Sequence, residues 1–156
     1  MLSGEVAHCR QQKQAGAHGL KGEAIEDVHL DSAARLAAER GTVADRAAIA
    51  ELLAELGSVQ VTEQRELMKL DREIHRTIYR SARNSFLEST LERYFNLSLR
   101  LWFLVLDQGV RLREAVTEHR AILEAVMAGD GDRADEAMRR HVAGFESAIR
   151  RVLVER

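Results

Sequence analysis

Not one proline occurs in 156 residues, where average usage of about 5% would place roughly eight. Aromatic residues make up only 4% of the chain, while Ala, Leu, Glu and Arg dominate. Those four are helix formers. Sandwiches and barrels need turn prolines and strands rich in β-branched or aromatic residues, so an all-β fold is all but excluded. With 46% apolar and 31% charged residues, the chain has the balance of one soluble globular domain, long enough to bury roughly two thirds of its unfolded surface.

In place of proline, glycine punctuates the chain. Gly4, Gly16, Gly19 and Gly22 fall in a polar stretch with no apolar period, so residues 1–22 read as an irregular or disordered N-terminal segment ahead of a helical domain over 23–156. Gly41, Gly57, Gly109 and the pair Gly129 and Gly131, together with Asn84, separate six stretches of helical periodicity. The first runs from about Glu23 to Arg40 and closes at Gly41. Thr42, with Asp45 three residues on, predicts an N-cap for a second helix that ends near Gly57. A third covers about Val61 to Ala82, and Asn84 caps a fourth that runs to about Asp107. The fifth spans about Val110 to Ala128, and Asp132 is expected to cap a sixth that continues to about Leu153. Connections of two to six residues imply antiparallel neighbours, so the expected fold is an all-α antiparallel bundle of about six helices.

Function has to be sought where polar residues interrupt the apolar stripes. In the sixth stretch, Ala134, Ala137, Met138, Phe145, Ala148, Ile149 and Val152 recur at spacings of three and four, with His141 in their midst. The fifth gives Leu112, Ala115, Val116, Ile122, Leu123 and Val126, again around a central histidine, His119. The third carries Leu67, Leu70, Ile74 and Ile78, with Asp71 and His75 four residues apart on the same face. His119 and His141 are equidistant from residue 130, inside the Gly-Asp turn. In an antiparallel hairpin they therefore stand at one level, about 16 Å from that turn at about 1.5 Å per residue. Facing helices of a bundle build metal sites in this way. A single histidine on such a stripe is ordinarily a hydrogen-bonded core residue. An ionised aspartate among three of them needs a partner or a metal. One carboxylate with three imidazoles suits zinc first, and also nickel, manganese or iron.

Other chemistries find little support. The formal net charge is −2 and the 23 basic residues are interleaved with acids, which gives no electrostatic footprint for nucleic acid. The single Cys9 forms no intrachain disulfide, which favours a reducing compartment. Leu101 to Leu106 is the longest apolar run, far short of a membrane span, and the N-terminus lacks a secretory pattern, so a cytoplasmic location is expected. There is no Glu-x-x-His repeat of the di-iron kind, no His-Glu-x-x-His, no phosphate-binding glycine loop, no cysteine pair and no Gly-x-Ser-x-Gly.

The segments AARLAAERGT, LDREIHRTIYRSARNSFLE and EHRAILEAVMAGDGDRADEAMRRHV resemble the FCD domain, the effector-sensing domain of the FadR subfamily of GntR bacterial transcription regulators. The resemblance covers about residues 31 to 154. Its most specific parts are Asp71-x-x-x-His75, the element ending at Asn84, the Glu118-His119 pair and His141. It implies an all-α bundle, a homodimer, and a divalent metal held by Asp71, His75, His119 and His141. It also implies a small organic acid bound beside the metal with the help of arginine. Arg100, which interrupts the apolar stretch from Leu97 to Leu106, is the candidate for effector binding. Where the family carries Arg-x-x-Leu-Glu in its first sensor helix, this chain has Glu26-Asp27-Val28-His29-Leu30, so that effector-contacting arginine is missing. The winged helix-turn-helix that precedes the domain in family members, and that would contact DNA, is not recognisable in the thirty residues ahead of the match. A frameshift, a misassigned start or a natural truncation would each account for that.

Three classes of function follow. The leading one is a metal-binding sensor of small carboxylates within a transcription regulator, not itself DNA-binding and not an enzyme. The second is a metal-dependent hydrolase or lyase on a bundle scaffold. For that class the sequence offers no general base at a fixed spacing, because Glu73 and Glu118 point roughly 160° and 100° away from the neighbouring ligands on their own helices. The third is a structural dimerisation module whose histidines are core residues.

Overall fold

The computed structural model describes residues 25–58, 64–105 and 112–154. These form six α-helices and, among the described residues, no strand. In chain order they are α1 (Ile25–Arg40), α2 (Val43–Ser58), α3 (Gln64–Ser81), α4 (Ser85–Val105), α5 (Leu112–Ala128) and α6 (Gly131–Val154). The expected all-α bundle of six helices is what the chain forms. The irregular segment expected over residues 1–22 lies outside the described residues, as do Cys9 and the outer ends expected for α1, α3, α4 and α5.

At the three described turns, α1–α2, α3–α4 and α5–α6, the helix ends lie where the local chemistry predicts, with one exception. Thr42 and Asp45 cap α2 reciprocally: the Asp45 N–H donates to Thr42 Oγ1 at 3.2 Å and the Thr42 N–H donates to Asp45 Oδ2 at 2.8 Å. Arg83, which adopts a positive φ of 52° in the turn between α3 and α4, donates to the same carboxylate and to Thr42 Oγ1. Burial pushes the Asp45 carboxyl up, but the hydrogen bonds from Thr42 and Arg83 outweigh it and hold it below the usual range. Asn84 Oδ1 accepts the Leu87 N–H at 3.1 Å and so caps α4. Gly41 closes α1 by donating to the Ala37 carbonyl at 2.9 Å, and a Cβ there would stand 2.6 Å from that oxygen.

The exception is α6. The residue that caps it is Asp130, whose Oδ1 accepts the Arg133 N–H at 3.0 Å. Asp132 lies inside the first turn and pairs with Arg35 of α1. The expectation failed because the α5–α6 turn is tighter than the Gly-Asp-Gly-Asp pattern suggests. Gly129 takes a left-handed φ of 71°, its N–H donates to Val126 O, and the Asp130 N–H reaches back to Ala125 O at 3.0 Å. This Schellman closure ends α5 and presents Asp130 at once as the next cap.

The core is built of alanine and aliphatic side chains. Ala33, Ala34, Ala37 and Ala38 let α1 lie close against α6, while Ile74, Ile78, Leu91, Ile122 and Leu123 fill the centre. Arg46 ties three helix ends together: it donates to the Val126 and Met127 carbonyls of α5 at 2.9 and 2.7 Å and to Ala38 O of α1. With α5 and α6 joined by a two-residue turn and packed along their length, residues equidistant from the turn stand level.

Asp130→Ala should lower stability by about 1 kcal/mol, or about 2–4 °C in thermal unfolding for a chain of this size. Asp132→Ala should cost less. A larger loss from Asp132→Ala would contradict the cap assignment.

Candidate metal centre

Four ionisable side chains from three helices meet inside the bundle. Asp71 and His75 lie one turn apart on α3, His119 in the middle of α5 and His141 in the middle of α6. All four are buried, His119 completely. The levelling expected of the α5–α6 hairpin is present, for the His119 and His141 rings are 4.1 Å apart. The His75 ring lies 4.8 Å from that of His119, edge to face.

The donor atoms converge. One nitrogen of each of His75, His119 and His141 lies within 4.8 Å of the other two. His75 Nε2 and His119 Nε2 are 3.0 Å apart, and Asp71 Oδ1 lies 3.9 and 3.8 Å from them. Ligand atoms in neighbouring positions around one ion, at about 2.1 Å from it, are themselves about 3.0–3.4 Å apart. The histidine pair has that spacing, and the carboxylate stands just outside it.

The remaining ring nitrogens are held from outside. A carbonyl oxygen can only accept, so His119 Nδ1–H donates to Val116 O, at 3.1 Å, and its Nε2 is left as a lone pair turned inward. His141 Nδ1 lies 3.2 Å from Glu118 Oε2 and donates to that carboxylate, again leaving Nε2. His75 Nδ1 faces the hydroxyl of the buried Tyr79 at 3.1 Å. Tyr79 can either donate to that nitrogen or accept from it, so His75 can turn a proton or a lone pair toward His119. Three imidazoles each oriented through their second nitrogen are the usual surroundings of histidine metal ligands.

Burial sets the protonation of the cluster. Desolvation pushes the Asp71 carboxyl up to about 7, partly opposed by His141. Desolvation, helped by the charge of His141, holds His75 down at about 3 and His119 well below its ordinary value. His75 and His119 are thus neutral, as metal ligands must be. The residues fit a divalent cation of the zinc, nickel, manganese or iron kind.

Two side chains of this site were not anticipated. Seen from its own helix, Glu118 points roughly 100° away from His119. Residues 118 and 141 are also nearly equidistant from the α5–α6 turn, and that relation brings Glu118 to His141. Tyr79 follows His75 by one turn on the same stripe, a spacing that could have marked it. Arg100, by contrast, is not brought to the cluster and lies exposed on α4. Ser98 and Trp102 line the cavity beside the histidines, and a residue two positions from each points roughly 160° away from them. Glu73 is likewise exposed and remote, lining a groove between α2 and α3.

In zinc titrations followed by thermal unfolding, His119→Ala should abolish the metal-induced shift, and Glu118→Ala should weaken zinc about 10–100-fold. Undiminished zinc binding by both variants would contradict this ligand set. A pH test is independent of metal. Asp71 has its folded value raised from 3.8 to about 7, so its contribution to stability is complete below about pH 4 and lost as pH rises through about 7. The metal-free Asp71→Asn protein should therefore melt higher than metal-free wild type at pH 8, and the advantage should vanish by pH 4.

Comparison with known sequences supplies a family. The sequence model of the FCD domain matches residues 31–144, a span that holds all four clustered side chains. No curated protein sequence matches the chain significantly. The chain belongs to the FCD domain family.

Proposed function

We propose that this chain is the sensory part of a GntR-type transcription regulator of the FadR subfamily, binding a divalent metal and, on it, a small carboxylate. The observation that carries the reading is the buried cluster of Asp71, His75, His119 and His141 in an FCD domain, opening on a cavity of about 70 Å³. The metal, when bound, supplies a positive centre for an acid's oxygen atoms. The chain's own residues hold it. Asp71 and the three Nε2 atoms are the ligands, while Val116 O, Glu118 and Tyr79 keep the imidazoles turned inward.

α4 links occupancy to assembly. One of its faces walls the cavity with Phe95, Ser98 and Trp102; away from it, Leu97 and Leu101 are exposed on a common side. A homodimer that covers the outer face would have its interface moved by whatever fills the cavity, since one rigid helix serves both. The DNA-contacting head is no part of this reading; with a net charge of −2, the polypeptide itself is expected to make no tight operator complex. No helix among the described residues is long and apolar enough to cross a membrane, which suits a cytoplasmic regulator. Belonging to a regulatory family also weighs against the hydrolase or lyase alternative, since Glu118 is engaged in orienting His141.

A panel of small carboxylates should raise the melting temperature of zinc-loaded protein, leave the chelated protein and His119→Ala unmoved, and be recovered unchanged. Equal shifts with and without metal would defeat the reading, and conversion of the acid would favour an enzyme. Leu101→Glu should shift the chain toward monomer in sedimentation velocity.

A further inference from the structure

We infer that the effector of this domain is a small monocarboxylate whose tail lies on the aromatic wall formed by α4 and α6. The inference rests on the metal-anchored carboxylate reading above and narrows it to a chemical class.

Size is the first argument. The space beside the cluster is small, about 70 Å³, which suits a small acid.

Wall chemistry is the second. On one side stand the cluster residues Asp71, His75 and His141, from α3 and α6. Across from them are Tyr94, Phe95 and Trp102 of α4, with Phe145 of α6. Phe95 packs on the His75 ring at 4.9 Å, so the aromatic wall begins beside the metal position itself. Trp102 and Phe145 pack together at 5.2 Å. Ser98, between these rings, donates its hydroxyl to the Tyr94 carbonyl of its own helix at 3.1 Å. Among the described residues that line the cavity, the only charged side chains besides the histidines are acids, Asp71 and the exposed Glu146. A ligand with one carboxylate places it on the metal and buries its carbons against aromatic rings. A second carboxylate would lose water against those rings and face Glu146, with no cation among the described lining residues to meet it.

The test compares propionate and butyrate with succinate on the zinc-loaded full chain, by calorimetry and thermal shift. The monocarboxylates should bind at least tenfold more tightly than succinate, and Glu146→Lys should narrow that gap. Succinate binding equally or more tightly would overturn this inference alone, leaving the carboxylate-sensor reading in place. Failure of every carboxylate to bind would overturn both. Ser98→Phe fills the cavity without touching a metal ligand, so it should retain zinc at wild-type affinity and lose propionate. Undiminished propionate binding by Ser98→Phe would show that the ligand sits elsewhere.

Discussion

The contact between His75 Nε2 and His119 Nε2, 3.0 Å apart in the middle of an aliphatic core, is the constraint around which the rest of the molecule is arranged. The Val116 carbonyl leaves His119 with an inward lone pair. Without a cation, His75 has to give a proton to that lone pair, with the Tyr79 hydroxyl donating to its other nitrogen. A bound cation would need a lone pair from each of the two nitrogens, and Tyr79 would then accept from His75 Nδ1–H. The same burial that makes the imidazoles good neutral ligands pushes the Asp71 carboxyl up to about 7. A cluster that costs stability when empty of charge partners would become a source of stability if a divalent ion bound the folded state alone.

Holding such a cluster together requires the helices to keep register. The Schellman closure at Gly129 and the Asp130 cap fix the α5–α6 hairpin and thereby the level of His119 against His141. Arg46 then fastens the end of α5 to α1 and α2 through carbonyls that would otherwise lack donors. Among the described residues, α4 meets the cluster through Phe95 and the cavity wall. It is therefore the element best placed to respond to what the cavity contains.

Much of this was legible in the sequence because helical periodicity is a strong signal in a chain without proline. The four inward polar residues stood out against stripes of aliphatic neighbours, and the equidistance of His119 and His141 from the turn is a property of any tight helical hairpin. What was not legible depends on finer geometry. Two aspartates flank Gly131, and only the left-handed turn at Gly129 decides that Asp130 rather than Asp132 caps α6. Arg100 is marked in the sequence by interrupting an apolar run; its phase on α4 turns it to solvent, opposite Ser98 and Trp102. Glu118 looked misplaced from its own helix and is well placed from the next one, a relation visible only when two helices are read together. The match of the FCD domain over residues 31–144 bears on fold and family; the donor geometry depends on how α3, α5 and α6 pack.

The central claim is that Asp71, His75, His119 and His141 together form a metal centre. X-ray absorption on the zinc-loaded chain tests it most directly. The account predicts one zinc per chain, with imidazole nitrogen scattering that fits three histidines and an oxygen shell at about 2.0–2.2 Å, and loss of one imidazole in His141→Ala. A spectrum with fewer than two imidazoles, or one unchanged when His75, His119 and His141 are replaced in turn, would contradict it.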